Sequence, residues 1–173
     1  MKAKKIIVAL LMMSVFATGF AQKITGKAKR EKSRVEKRQQ IESLINSKVF
    51  VFVATKALPQ GGSTIDLTTN PNSLKFHPDK IESYMPFFGR AYSIEYGGGG
   101  GFKFEGKPEE YNVLSRKKGK GYEVHASVSD TRDNYKLSLI VSTEGNATLT
   151  INSNQRSSIS YYGNVEKVKE LKK

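Results

Sequence analysis

The chain predicts an all-β fold with an N-terminal helix, an antiparallel meander that closes into an up-and-down barrel. Three observations predict it. From Val49 onward apolar residues recur at every second position. Turn-forming clusters of Gly, Pro, Asn and Asp separate these runs at short intervals. Ahead of them lies a proline-free stretch rich in Lys, Arg, Glu and Gln. With 173 residues, 38% of them hydrophobic, the chain is long enough for one domain with a genuine core.

The first segment, residues 1–21, reads as a secretory signal peptide. Lys2, Lys4 and Lys5 precede an apolar run from Ile6 to Phe16, and the small residues Gly19 and Ala21 follow. The run is too short to span a bilayer. Cleavage after Ala21 would expose Gln22 and leave a periplasmic or secreted protein without a transmembrane span. The chain has no Cys. Disulfide scaffolds, thiol catalysis, thiolate zinc sites and a lipid-bearing N-terminal Cys are therefore excluded.

Residues 22–47 form the expected basic amphipathic helix. Its apolar stripe is thin at Ala28 and Val35 and becomes definite at Ile41, Leu44 and Ile45, spaced three and one apart along one face. Its later turns are expected to dock on the body. Val49–Val53 is apolar on both faces, which calls for two covers, and the preceding helix is the expected second cover. The strands beyond alternate. Phe102 and Phe104 oppose Lys103 and Glu105, and Tyr122, Val124, Ala126 and Val128 oppose Glu123, His125, Ser127 and Ser129. Tyr135–Val141, Ala147–Ile151 and Ile159–Tyr161 repeat the pattern. Nine or ten short strands result, placing the barrel at residues 48–164, with a basic tail at 165–173. Sequence neighbours then pair in space. Eight or more such strands close most simply into a barrel; a two-sheet sandwich is the alternative.

Charge is concentrated at the ends. The net charge is +13. Lys23–Lys48 holds nine basic residues and three acidic ones, whereas the long stretch 49–164 is nearly balanced. The basic arm suits an anionic envelope surface. It carries no interleaved aromatic residue to stack on bases, so nucleic acid is not an expected partner.

Motifs for catalysis are weak. The run Gly97–Gly101 leads into Phe102-Lys103-Phe104, a strand pattern, instead of the Gly-Lys-Ser/Thr and helix of a phosphate loop. It reads as a turn or a close backbone approach. His77-Pro78-Asp79 reads as an ordinary turn. His77 and His125 are the only histidines and lie far from metal-ligand spacing. No cofactor, metal site or catalytic residue is expected, and no acid–base pair is legible.

The aromatic residues are more suggestive. Tyr84, Phe87, Phe88, Tyr92, Tyr96 and Phe102 crowd one short segment, with Tyr161 and Tyr162 later. Arg90 is the only basic residue between Lys80 and Lys103. Arg90, Tyr92, Tyr96, Gly97, Gly99 and Tyr161 are the candidate ligand-binding residues, placed at one rim of the barrel. Arg90 is expected to stack on a tyrosine or meet a carboxylate such as Glu95. A core layer with an anchoring tyrosine explains the same residues structurally.

A set of motifs carries a family resemblance. It runs through Val51-Phe52-Val53-Ala54, Ala57-Leu58-Pro59, Ile65-Asp66-Leu67, Tyr84-Met85-Pro86-Phe87-Phe88-Gly89-Arg90-Ala91-Tyr92, Gly145-Asn146-Ala147 and Ser157–Gly163. The chain resembles domain of unknown function 4251, exported proteins of Gram-negative anaerobes. That resemblance implies a lipocalin-like β-barrel and supplies no activity. Two roles follow from the residues. One is a non-catalytic binding module for a small apolar or amphipathic molecule. The alternative is a structural or interaction protein of the envelope that uses its basic helix and tail.

Overall fold

A computed structural model describes residues 26–92, 100–131 and 133–168. The expected signal peptide, Tyr96, Gly97, Gly99 and the last five residues of the tail lie outside them. Helix α1 occupies residues 26–46. Ten strands follow: β1 (Phe50–Pro59), β2 (Ile65–Asp66), β3 (Ser73–Phe76), β4 (Ile81–Pro86), β5 (Gly101–Gly106), β6 (Pro108–Ser115), β7 (Tyr122–Ser129), β8 (Asn134–Val141), β9 (Asn146–Ser153) and β10 (Ile159–Glu166). A 3-10 turn at Lys117–Gly119 separates β6 from β7. β10 runs two residues past the expected end of the barrel at 164.

All pairings are antiparallel. Nine strands form one continuous sheet in the order β5-β4-β3-β1-β10-β9-β8-β7-β6, and β2 pairs with β1 off this path. The first and last strands, β1 and β10, are joined by a long ladder from Val51–Glu166 to Pro59–Ile159. The ring is instead left open between β5 and β6, which are consecutive in sequence. The sheet is a nearly closed barrel, and the two-sheet sandwich is set aside by its unbroken strand order.

A corner causes the opening. β5 pairs with β4, and β6 with β7, so the chain must turn at Gly106-Lys107-Pro108. A Cβ on Gly106 would lie 2.7 Å from Val128 Cγ1 and 3.1 Å from the Ser129 carbonyl oxygen. Glycine is what permits that approach. Pro108 has no N–H to give the ladder, and the register slips between Pro108 and Glu110.

Alternation sorts the strands as the sequence predicts. Val124, Ala126 and Val128 of β7, Leu137, Leu139 and Val141 of β8, and Ala147, Leu149 and Ile151 of β9 are buried. Rings occupy the rest of the interior: Phe50, Phe52, Phe76, Phe102 and Tyr161 are almost wholly buried. Phe50 stacks on Phe76 at 4.5 Å. β1 also carries a bulge between Ala54 and Lys56. There Asn72 replaces a missing strand with its side chain. Its Oδ1 accepts from Ala54 N at 2.7 Å, and its Nδ2 donates to the Ala54 oxygen at 3.0 Å and the Asn70 oxygen at 2.9 Å.

The chain divides into two compact units, one ending at Gln39 and the other starting at Gln40. Residues 26–40 are helical, and each of them is exposed. The last turns behave differently. Ile41 and Ile45 are buried and Leu44 packs against the core. A Cβ on Gly145, in the β8–β9 turn, would sit 3.0 Å from Ile41 Cδ1, and the Gly145 oxygen accepts from Val165 N at 2.9 Å. The end of α1 therefore closes the barrel end formed by the β8–β9 turn and the last residues of β10. This corrects the expectation that the helix covers the second face of Val49–Val53. Val49 is exposed, and Val51 and Val53 are half-buried. Ile41 and Ile45 reach the interior, where burial is complete, whereas the outer face of β1 offers only half-burial.

Two stability measurements check this arrangement. Ile45→Ala is expected to lower unfolding free energy by about 2–4 kcal/mol through a cavity at the closed end, while Val53→Thr on the outer face costs less than about 1 kcal/mol. Equal losses in urea denaturation would show that the helix caps no core. Asn72→Ala leaves Ala54 N and O without their partners at the bulge and is expected to cost about 1–3 kcal/mol, read in the same experiment.

Candidate functional site

The opposite end of the barrel carries the residues singled out by sequence. Beyond β4 the chain crosses this rim, and residues 90–92 pair with 155–157. The Ser157 N–H donates to the Arg90 oxygen at 2.9 Å, the Tyr92 N–H donates to the Gln155 oxygen at 2.7 Å, and Ala91 bridges Arg156. Arg90 and Tyr92 thus stand at the rim as expected. Both are exposed, Tyr92 at 72%.

Among the described residues the Arg90 guanidinium has no ring or carboxylate partner, and only its backbone is engaged. The stacking expected of it is made by Arg156. That guanidinium lies 5.2 Å from the Phe87 ring centre and 5.4 Å from that of Phe102. Its Nη1 donates to the Gly101 oxygen at 2.7 Å. One side chain therefore ties the β9–β10 turn to the start of β5, where the sheet has a free edge. Sequence reasoning missed it, although the signal that singled out Arg90 was present. Arg156 is the only basic residue between Lys136 and Lys167.

Tyr161 lies beneath this rim. Its ring is fully buried, and its hydroxyl donates to the Pro86 oxygen at 2.6 Å. Burial raises its pKa, with the nearby Arg156 charge pulling the other way. A phenol so placed stays neutral and anchors the chain where it leaves β4. Gly100 and Gly101 are the described end of the glycine run. Phe87 N–H donates to the Gly100 oxygen at 3.2 Å, and a Cβ on Gly101 would lie 2.7 Å from the Met85 oxygen. The glycine here serves the close approach of two backbones.

The remaining candidates resolve into structural roles. His77 opens the β3–β4 turn, exchanging backbone bonds with Lys80 at 2.8 and 3.4 Å. His125 lies on the outer face of β7 with its Nε2 3.0 Å from Glu123 Oε1. Among the described residues no group of three or more His, Asp or Glu side chains could hold a metal ion. Glu82 joins Lys75 and Lys80 on the outer face of β3 and β4, and Lys80 also reaches Glu105. The hydrogen bond from Lys80, against the opposing effect of burial and with the further help of Lys75, lowers the Glu82 pKa.

The two arginines separate by stability. Arg156→Ala is expected to lower the melting free energy by about 1–3 kcal/mol, since it removes a charge-assisted hydrogen bond and leaves the Gly101 oxygen without its donor. Arg90→Ala should stay within about 0.5 kcal/mol of the natural chain. The reverse ranking in thermal denaturation would refute this reading of the rim.

Comparison with known proteins adds the family. A family model described as a domain of unknown function, DUF4251, matches residues 32–165. A crystal structure of a DUF4251 family protein from Bacteroides eggerthii DSM 20697 superposes with a TM-score of 0.61 at 19% sequence identity, covering 76% of this chain and 87% of that one. At that identity the likeness concerns the fold alone. A search of curated proteins returned no match. The matched segment begins within α1 and extends almost to the end of β10, so this chain belongs to the DUF4251 family.

Proposed function

We propose that the protein is a non-catalytic interaction module, exported through its N-terminal signal, that attaches to an anionic envelope surface through its basic helix. The observation that carries this reading is the exposed helical arm. Across residues 26–40 every side chain is exposed, with seven basic residues and only Glu31 and Glu36 to offset them. The arm holds almost no apolar surface, Val35 being 48% exposed and Ala28 the only other apolar side chain. Such a helix adsorbs by charge and does not insert.

The alternative, a carrier whose apolar ligand enters the barrel, is less well supported. Phe50, Phe52, Phe76, Phe102, Met85 and Tyr161 already occupy the interior. One end is closed by Ile41 and Ile45, and the other is crossed by Phe87 and Arg156. Among the described residues no helix is long and apolar enough to cross a membrane. Attachment through the arm therefore needs no spanning helix.

Cosedimentation with phosphatidylglycerol vesicles tests the proposal. The mature chain is expected to bind at low salt, and binding should fall steeply as ionic strength rises. Replacing Lys27, Arg30, Arg34, Lys37 and Arg38 by Gln should weaken binding at least tenfold, given about 1 kcal/mol per basic residue near an anionic surface, without moving the melting temperature. Binding that ignores both salt and these replacements would overturn it.

A further inference from the structure

Outside the barrel, on the face of β1, β10, β9 and β8, lies an open groove of about 630 Å³. We infer that this groove binds a short acidic oligosaccharide, a few pyranose rings bearing carboxylates, with Tyr162 as the stacking platform. This inference is independent of the arm's attachment to a surface.

The groove is built by register. Lys56 pairs with Tyr162, Tyr162 with Thr148, and Thr148 with Ile140, so four strands contribute one continuous row. At about 4.8 Å between strands, that row is an elongated track. Asn164 and Asn146 pair in the next outward row and line the same groove. Tyr162 is 41% exposed, so its ring is open to a ligand on this face. In register Tyr162 stands between Lys56 and Thr148, and an exposed ring can stack on the apolar face of a sugar. Side-chain amides and hydroxyls at Asn146, Asn164 and Thr148 supply donors and acceptors for ring hydroxyls.

Two features make the track acidic-ligand selective. First, Lys56 and Arg116 both line it, and among the described residues no Asp or Glu does. Asp66 stands opposite Lys56 in register; its carboxylate accepts from the Thr68 N–H at 2.9 Å and hydroxyl at 2.5 Å, and the Lys56 charge adds only a lesser pull on it. Second, the β1 bulge sends two consecutive side chains, Thr55 and Lys56, to the outer face between buried Ala54 and Ala57. The Thr55 hydroxyl is spent on the Tyr162 oxygen at 3.1 Å, which fixes the strand carrying the ring. A bulge that re-aims a cation beside an exposed ring is a recurrent means of building a site on a sheet. The volume falls within the range of small-ligand sites.

Isothermal titration of the mature chain with trigalacturonate, and with neutral maltotriose as control, tests this inference. Trigalacturonate should bind saturably and maltotriose at least tenfold more weakly. Tyr162→Ala and Lys56→Gln should each lower trigalacturonate affinity at least fivefold, and Tyr162→Phe should restore it to within twofold. Arg116 is exposed in the β6–β7 turn, one residue past the last ladder pair Ser115–Tyr122, and its backbone N–H donates to the Gly121 oxygen. Arg116→Gln keeps that backbone bond, so it should weaken binding without unfolding the chain and serves as the test should Tyr162→Ala unfold it. The five-residue Gln replacement in the helix should leave affinity within twofold. No saturable binding, equal affinity for both sugars, or affinity lost in the helix variant but kept in Tyr162→Ala and Arg116→Gln would overturn the site. None of these outcomes bears on vesicle attachment, which is read separately.

Discussion

Closure without hydrogen bonds between β5 and β6 is the constraint on which the structure depends. Every other junction of the sheet is a backbone ladder, but the two strands beside the corner diverge from it. Side chains must then hold the ring shut. Phe104 of β5 stacks on Tyr135 of β8 at 4.0 Å, and Phe102 meets the same ring edge-on at 6.0 Å. On the other side Phe76 of β3 meets Tyr111 of β6 at 6.2 Å. These contacts cross the seam from strands that are far apart in sheet order. They explain why the interior is rich in aromatic rings: only large flat side chains reach across a gap that the backbone leaves open.

The same requirement accounts for the filled interior and for the two ends. A seam closed by rings places those rings in the space a ligand would otherwise take. Arg156 extends the closure to the rim, where its guanidinium lies against Phe87 and Phe102 and caps the free edge at the Gly101 oxygen. At the other end Ile41 and Ile45 complete the core, and Lys48, with its left-handed backbone at φ 58°, turns the chain from helix into β1. Its ammonium lies 5.0 Å from the Tyr111 ring centre. Burial raises the Tyr111 pKa to about 12, so the ring that closes the seam keeps its neutral form throughout the physiological range. With the lumen given to packing, the proposed recognition surfaces lie outside it. The exposed arm and the Tyr162 face are the surfaces on which those proposals rest.

The legibility of the candidate site was uneven. Arg90 and Tyr92 stand at the rim that the aromatic, glycine-rich segment around a lone arginine suggests. The chemistry assigned to Arg90 belongs to Arg156, which the same isolation in sequence could have singled out. What sequence could not rank was which lone arginine meets the aromatic layer. That depends on the β9–β10 turn folding back over Phe87, a contact between residues about seventy apart. Tyr161 was marked for its ring, and its ring is the most deeply buried of the set; the hydroxyl bond to Pro86 shows an anchor. Strand β6 went unremarked because Glu109, Glu110, Tyr111, Asn112, Val113 and Leu114 show no clean alternation, as befits a strand at the sheet's free edge.

By itself the sequence determined the class of the protein. Period-two alternation from Phe50 to Val165, short turns, and a basic helix ending in Ile41, Leu44 and Ile45 dictated an antiparallel meander with one docked helix, because each feature acts within a few residues of chain. Only the tertiary structure decided where the ring closes and where it stays open. β1 meets β10 over more than a hundred residues, while β5 and β6, adjoining in sequence, part at Gly106. It also decided that the helix plugs an end and leaves the outer face of β1 half-exposed, and that the bulge at Thr55 brings Lys56 beside Tyr162. Each of these rests on long-range register and on which surfaces reach complete burial, quantities that alternation along one strand does not contain.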